Sequence, residues 1–371
     1  MWFTCKKISY KFQRRAFAAA SSTEFGFCLF NHKALILIEM ILYKMRKLIL
    51  ASVGVALAAT LSSCAPAPID ESTNQQIQGE GKDNWWDALP RAQWSPFEKI
   101  AVQQNQDWFQ VYRIREGIYG IYEDGQFEEV ISYLITGSEN ALLFDTGIGV
   151  GDISAIVKQL TGLPVSVLNS HTHYDHVGGN YLFEKLYGVA SAYTVDHMNG
   201  RTNDEVKEFI GQGWTWKPLP DSTTVDNYSS AAFSITDYVS DGYEIDLGGR
   251  VLEVILVPGH TPDALVLLDR ENRLMFMGDT FYPAPLYAHM GDADFFEYAK
   301  SAEKLAGFRD DVDYLLPAHN EPLVAGYYLT AMRDAFNAIQ APNAPFRLAG
   351  ADREYSFDGF SIMVSEPPPW R

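Results

Sequence analysis

Three of the eight histidines in this chain stand within six residues, in His171-Thr172-His173-Tyr174-Asp175-His176. They follow the short apolar run Val165–Leu168 and precede Gly178-Gly179, where a chain can turn sharply. On an extended segment alternate side chains face the same way, so His171, His173 and Asp175 converge on one side. The turn then swings His176 toward a second position. Neutral imidazoles and carboxylates are the donors a borderline cation such as zinc takes. Chance explains the string poorly: a random chain of this length yields it on the order of once in several thousand.

Three more residues of the same chemistry end later apolar runs. His260 lies in Val257-Pro258-Gly259-His260-Thr261-Pro262, Asp279 in Met277-Gly278-Asp279-Thr280, and His319 in Leu316-Pro317-Ala318-His319-Asn320. Together with the first cluster they give five histidines and two aspartates on strand-terminal loops. That is enough for two metal ions with water positions left open, as catalytic sites need. Two divalent cations bridged by a hydroxide hold a nucleophile near neutral pH and polarise a carbonyl or phosphoryl oxygen. Asp175 can orient the hydroxide and pass a proton to the leaving group. The reading is metal-assisted hydrolysis of a small molecule, with zinc as the expected ion and iron or manganese as alternatives.

The elements that must position these residues alternate along the chain. Strand patterns fall in Phe109–Tyr122, Glu129–Ile135, Ala141–Phe144, Val165–Leu168 and Tyr314–Leu316. Hairpins are expected from Tyr243–Leu247 with Val251–Val257, and from Ala264–Leu268 with Leu274–Met277. Helices are expected at 152–160, 202–211, 293–307 and 325–340. Such alternation in one continuous unit predicts a single α/β domain over 100–371. The irregular stretch 212–240, with Trp214 and Trp216, has the character of a lid or surface loop. Tyr282 and Tyr287 follow Asp279 closely; a hydroxyl there can donate to a developing oxyanion, or the ring can pack beneath the loop. His197 and His289 are expected at the surface or beside the site.

The chain has 371 residues and a formal charge of −18. From Cys64 onward it carries 20 basic against 45 acidic residues, a net −25. A body that acidic repels phosphate backbones, which argues against nucleic acid as a partner. The three cysteines, Cys5, Cys28 and Cys64, all precede the domain, so it contains no disulfide and no thiolate. From Met45 a short basic start, an apolar run and small residues lead to Cys64, the parts of a signal peptide over 45–63. Leu61-Ser62-Ser63-Cys64 resembles a bacterial lipobox, which implies lipidation of Cys64. Residues 1–44 read as a non-native or extended leader, and 64–99 as a polar tether. The expectation is an exported protein of the bacterial cell envelope, its domain in the periplasm and touching membrane only through the lipid.

Taken in order, Phe144-Asp145-Thr146-Gly147, His171–His176, His260, Asp279 and His319 resemble the metallo-β-lactamase superfamily. The resemblance implies a four-layer αββα sandwich with paired metals at one edge. It assigns His171, His173 and His260 to one metal, Asp175, His176 and His319 to the other, and Asp279 to both, with Asp145 a buried structural carboxylate. The aspartate at 279 and the lack of a cysteine ligand look more like the glyoxalase-II-like thioesterases, lactonases and phosphodiesterases than the zinc β-lactamases. Cleavage of an ester, thioester, lactone or phosphodiester is therefore implied. The alternatives are a β-lactam hydrolase, and a mononuclear iron oxidoreductase of the persulfide dioxygenase type. The short stretch 325–371 argues against glutathione thioesters.

Overall fold

In β4 (Ile131–Thr136) and β5 (Ala141–Phe144) every second side chain faces one way. Ile131, Tyr133, Ile135, Leu142 and Phe144 enter one buried cluster; Leu134, Ala141 and Leu143 enter another on the opposite face. A strand buried on both sides must lie between two layers. The computed structural model, which describes residues 85–370 apart from Asp221, shows those layers. One sheet of eight strands runs in sequence order: β1 (Glu98–Ile100), β2 (Gln110–Arg115), β3 (Ile118–Tyr122), β4, β5, β6 (Val165–Leu168), β7 (Leu186–Val189) and β8 (Asp237–Val239). It is antiparallel as far as β5 and parallel from β5 to β8.

The second sheet contains β9 (Glu244–Asp246), β10 (Val251–Leu256), β11 (Leu265–Asp269) and β12 (Leu274–Gly278). After β13 (Pro285–Tyr287), which belongs elsewhere, β14 (Tyr314–Pro317) and β15 (Val324–Ala325) complete it in the order β15-β14-β12-β11-β10-β9. Leu265, Leu267, Leu274 and Phe276 turn inward to the cluster that β4 and β5 fill, which is the seam between the sheets. Val266, Leu268, Met275 and Met277 turn outward onto α2 (Phe295–Ala306) and α3 (Tyr328–Ala338). On the far side α1 (Ile153–Leu160) lays Ile153, Ile156 and Val157 on the first sheet. Helix, sheet, sheet, helix is the αββα sandwich. Aspartates start two of the helices: Asp152 accepts from the Ala155 N–H, and Asp294 from those of Phe296 and Glu297.

Four differences from the sequence reading have physical causes. The tether does not run to residue 99, because Trp94 is buried and stacks on Tyr122 at 4.4 Å, docking residues 91–94 on the first sheet. The strand pattern at 109–122 is a hairpin, turned at Gly117 with φ +67°. The helix at 202–211 is an α-turn over Asn203–Val206 followed by a 3₁₀ turn over Lys207–Ile210. The third sheet, β13-β18-β17-β16, is built from β13 and from β16 (Arg347–Ala349), β17 (Asp352–Ser356) and β18 (Ser361–Val364). Its parallel pairing of β13 with β18 joins residues more than 70 positions apart, a contact no local pattern announces. The readings on the leader, the signal peptide, Cys64 and the tether up to residue 84 lie outside the described residues. Among the described residues no helix is long and apolar enough to cross a membrane.

β5 runs parallel to β6, and β12 to β14, so each pair ends at a common edge. Bonds between the sheets sew that edge: Ile131 N–H to Ala318 O at 2.7 Å, Leu265 N–H to Ser170 O at 2.8 Å, and the Tyr133 hydroxyl to Pro317 O at 2.8 Å. The loops that carry the candidate residues leave from there.

Candidate metal centre

After β6 the chain bends at Ser170 and His171, then enters a helical turn at Tyr174–Val177 with His173, in extended conformation, as its N-cap. This turn corrects the alternating-strand argument for Asp175. Asp175 leaves the side shared by His171 and His173, and its Oδ2 lies 3.3 Å from His176 Nε2 and 3.8 Å from His319 Nε2. Gly178 lets the turn lie against the loop after β5: a Cβ there would stand 2.2 Å from the Ile148 carbonyl carbon. The Thr146 N–H donates to His176 O, and the Gly178 N–H to Gly147 O, both at 2.9 Å.

All seven sequence-predicted ligand residues come together. Ligand atoms of His171, His173 and His260 lie within 4.8 Å of one another, as do those of Asp175, His176 and His319 and those of His171, His176 and Asp279. Asp279 sits between the sets. Its Oδ2 is 3.4 Å from His260 Nε2 and 4.0 Å from His171 Nε2; its Oδ1 is 3.2 Å from His176 Nε2 and 2.9 Å from His319 Nε2.

Four of the rings are held from behind by their other nitrogen. His171 Nδ1 lies 3.0 Å from Ser170 Oγ, and His176 Nδ1 lies 3.0 Å from Asp145 Oδ2. His260 Nδ1 is 3.3 Å from the Tyr287 carbonyl, and His319 Nδ1 is 2.6 Å from that of Glu128. Such partners fix ring orientation and tautomer. Asp145 is fully buried at φ +65°, and its Oδ1 accepts the Ser170 N–H at 2.7 Å. Asp145→Asn keeps the shape but replaces one oxygen with a donor. The variant is expected to bind metal 10–100-fold more weakly, measured by competition with a chromophoric chelator.

Burial, the largest effect, together with neighbouring imidazoles holds His171 well below the usual histidine range and His173 down at about 3; burial lowers His260 as well. Burial also opposes charge on His176 and His319, but nearby carboxylates outweigh it. Asp175, Asp279 and Asp145 hold His176 well above the usual range, and Asp279 lifts His319 to about 9. His319 and His176 in turn overcome burial to keep Asp279 well below the carboxylate range. Within the cluster three buried atoms, His171 Nε2, His176 Nε2 and Asp279 Oδ1, face one another or other charged groups without a well-directed hydrogen bond. Orphaned polar atoms are costly in an interior. Here they converge among imidazoles and carboxylates, so the donor set fits divalent cations.

The cluster floors a cavity of about 420 Å³, walled by Phe127, Glu128, Tyr174, Tyr282, Tyr287 and Met290 and bordered by Arg91 and Asn320. The Tyr282 hydroxyl already donates to Pro285 O at 2.7 Å, so it lines the pocket without being free to donate to an oxyanion. Tyr282→Phe is expected to change kcat less than about threefold and to cost about 1 kcal/mol of stability, the worth of one such bond. Steady-state rates and a urea titration check both. Trp214 packs on Phe127 and Phe209, and Trp216 stacks on Trp86 at 5.4 Å, so neither indole lines the cavity. His197 packs on Tyr193 and His289 lies beside Tyr287, and neither lines the cavity. Glu128, Glu129 and Arg91 were not anticipated. Burial, then the charge of Asp175, pushes Glu128 up to about 7. The Glu128-Glu129 pair just before an apolar strand was the one available signal; Arg91 gave none.

The family model of the metallo-beta-lactamase superfamily matches residues 127–319, and the chain belongs to that superfamily as one of its metallo-hydrolases. Its curated relatives include the acyl-coenzyme A thioesterase MBLAC2 of Bos taurus, 24% identical over 238 residues, covering 57% of this chain and 81% of that protein. Another is hydroxyacylglutathione hydrolase GloC of Haemophilus influenzae, 22% identical over 161 residues, covering 42% of this chain and 68% of that protein. Among solved structures, the metallo-beta-lactamase MIM-2 aligns with a TM-score of 0.43 at 22% identity, covering 62% of this chain and 91% of that one.

Proposed function

We propose that the chain hydrolyses acyl thioesters of small molecules with two divalent cations, zinc foremost, held by His171, His173 and His260 on one side and Asp175, His176 and His319 on the other. The observation that carries this reading is Asp279, whose two oxygens divide between the two sets at the floor of an open pocket. When bound, such cations supply Lewis acidity and a water of lowered pKa. The chain supplies the rest. Asp175, kept below the usual carboxylate range by His176 against its burial, is ionised at neutral pH. It can therefore take the proton of an attacking water and return it to the leaving sulfur. The aromatic walls hold the acyl chain and exclude bulk water. Thioesters are favoured over lactones and phosphodiesters because a relative matched over 81% of its length carries the thioesterase name.

The test is elemental analysis of the purified full chain with a panel of acyl-coenzyme A thioesters, lactones, phosphodiesters and β-lactams. Two zincs and thioester turnover are expected. One iron with oxygen uptake, or turnover of β-lactams alone, overturns the reading. Export to the cell envelope and lipidation at Cys64 are proposed from the 45–64 sequence, and the mass of the mature N-terminus decides them.

A further inference from the structure

Among the described residues lining the pocket, Arg91 alone carries a permanent positive charge. It lies outside the segment the family model matches, on a stretch pinned to the domain for reasons of its own. Three residues on, Trp94 is buried and its Nε1–H donates to the Asn320 carbonyl at 3.1 Å. The Arg91 guanidinium grips Glu129 through Nε at 2.9 Å and through Nη2, which also donates to Asn320 Oδ1 at 3.1 Å. Glu129 is only 1% exposed and takes the Tyr122 hydroxyl as well. Asn320 directly follows His319, so the guanidinium is fastened to the loop that carries a candidate ligand.

That arrangement fixes the guanidinium and leaves one of its nitrogens to spare. A guanidinium has five N–H donors. The bonds above take three, and no described residue accepts from Nη1. The side chain is 39% exposed. The two N–H groups on Nη1 diverge, so an anion there takes single charge-assisted hydrogen bonds rather than a bidentate pair, and an oxygen of a carboxylate or a phosphate suits them. Glu129 balances the charge and Glu321 lies close enough to stabilise it, so attraction at a distance is weak and recognition works through direct hydrogen bonds. An anion reaching Arg91 would lie across a pocket whose other wall is aromatic and whose floor is the histidine cluster.

Building on the thioesterase reading, we propose that Arg91 anchors an anionic group of the substrate, a carboxylate on the acyl side or a phosphate on the thiol side, and that the enzyme selects charged thioesters.

The test uses the full chain loaded with zinc and matched substrate pairs. Succinyl against butyryl thioesters of N-acetylcysteamine isolate a carboxylate; butyryl-coenzyme A against butyryl-N-acetylcysteamine isolates the phosphates. In the native enzyme one pair is expected to show at least a tenfold preference in kcat/KM for the charged member, and equal rates for both pairs overturn the proposal. Arg91→Gln is expected to lower that same ratio at least tenfold, chiefly through KM. A ratio within one assay is independent of how much protein is folded. The double variant Arg91→Gln/Glu129→Gln, which leaves no buried carboxylate unpaired, should lose the ratio equally. Ratios unchanged in both variants mean that Arg91 only neutralises Glu129. If no thioester is cleaved, the thioesterase reading falls, and calorimetry with S-butyl-coenzyme A and S-carboxypropyl-N-acetylcysteamine still decides for or against the anchor.

Discussion

Asp279→Ala is expected to leave at most one metal ion bound and to lower turnover by at least about 10³-fold, some 4 kcal/mol in the transition state. The size follows from the placement of the carboxylate. It is the one side chain whose two oxygens face both histidine sets, at 3.4 Å on one side and at 2.9 and 3.2 Å on the other. Its removal takes an anion from each set at once. The fold should survive, since His176 keeps Asp145 and Asp175 as neighbours and the three clusters of the core do not include residue 279. Asp279→Asn separates geometry from charge. Asparagine offers one acceptor oxygen and turns a donor NH₂ toward the other set, so one ion should remain while activity is lost. Elemental analysis, turnover and a cooperative melt of the variants read these effects. A fully active Asp279→Ala enzyme with two ions would end the bridging role.

The candidate site was legible because its chemistry is written in rare residue types at the ends of apolar runs. His171, His260, Asp279 and His319 each follow a strand, and a parallel pair of strands delivers its C-terminal loops to one edge. The two-layer core was legible for a similar reason: continuous apolar strands such as Ala141–Phe144 demand cover on both faces. What escaped depended on local backbone turns and on contacts between distant residues. Asp175 was placed by an alternation rule that holds for extended chain and fails once Tyr174–Val177 closes a helical turn. Tyr282 stayed open between donor and packed ring because its acceptor, the Pro285 carbonyl, carries no side-chain signal. Arg91 lies 38 positions from Glu129 and 229 from Asn320, and neither separation leaves a trace in local pattern. Trp94, and Trp86 stacked on Trp216, show how indoles in a segment read as tether can decide where a domain begins.

The two metal sets should respond to pH in opposite ways, because their histidines start from opposite protonation states. Burial holds His171 well below the usual range and His173 at about 3 and lowers His260, so at pH 6 the lone pairs of His171 and His173 are free and a cation displaces no proton from them. His176 is held well above 6.5, and His319 at about 9, by the carboxylates they face. A cation binding there below pH 9 must expel protons. Each expelled proton costs about one decade of affinity per pH unit. The Asp175–His176–His319 set should therefore empty first on acidification, losing at least about 10³ in affinity from pH 9 to 6, while the His171–His173–His260 set holds its ion. Linkage fixes the sign for the metal-free fold as well. His319 binds a proton more tightly folded than unfolded, so its contribution to stability is whole below about pH 6.5 and is lost as the pH rises through 9. Chelator-treated protein should consequently show a lower Tm at pH 9 than at pH 6 from this group, whereas zinc-saturated protein should not, because the ion has taken the proton's place. Metal titrations followed by calorimetry at pH 6, 7.5 and 9, beside melts of both forms, read the two slopes. Equal pH dependence of the two binding steps would show that the carboxylates around His176 and His319 do not hold them protonated.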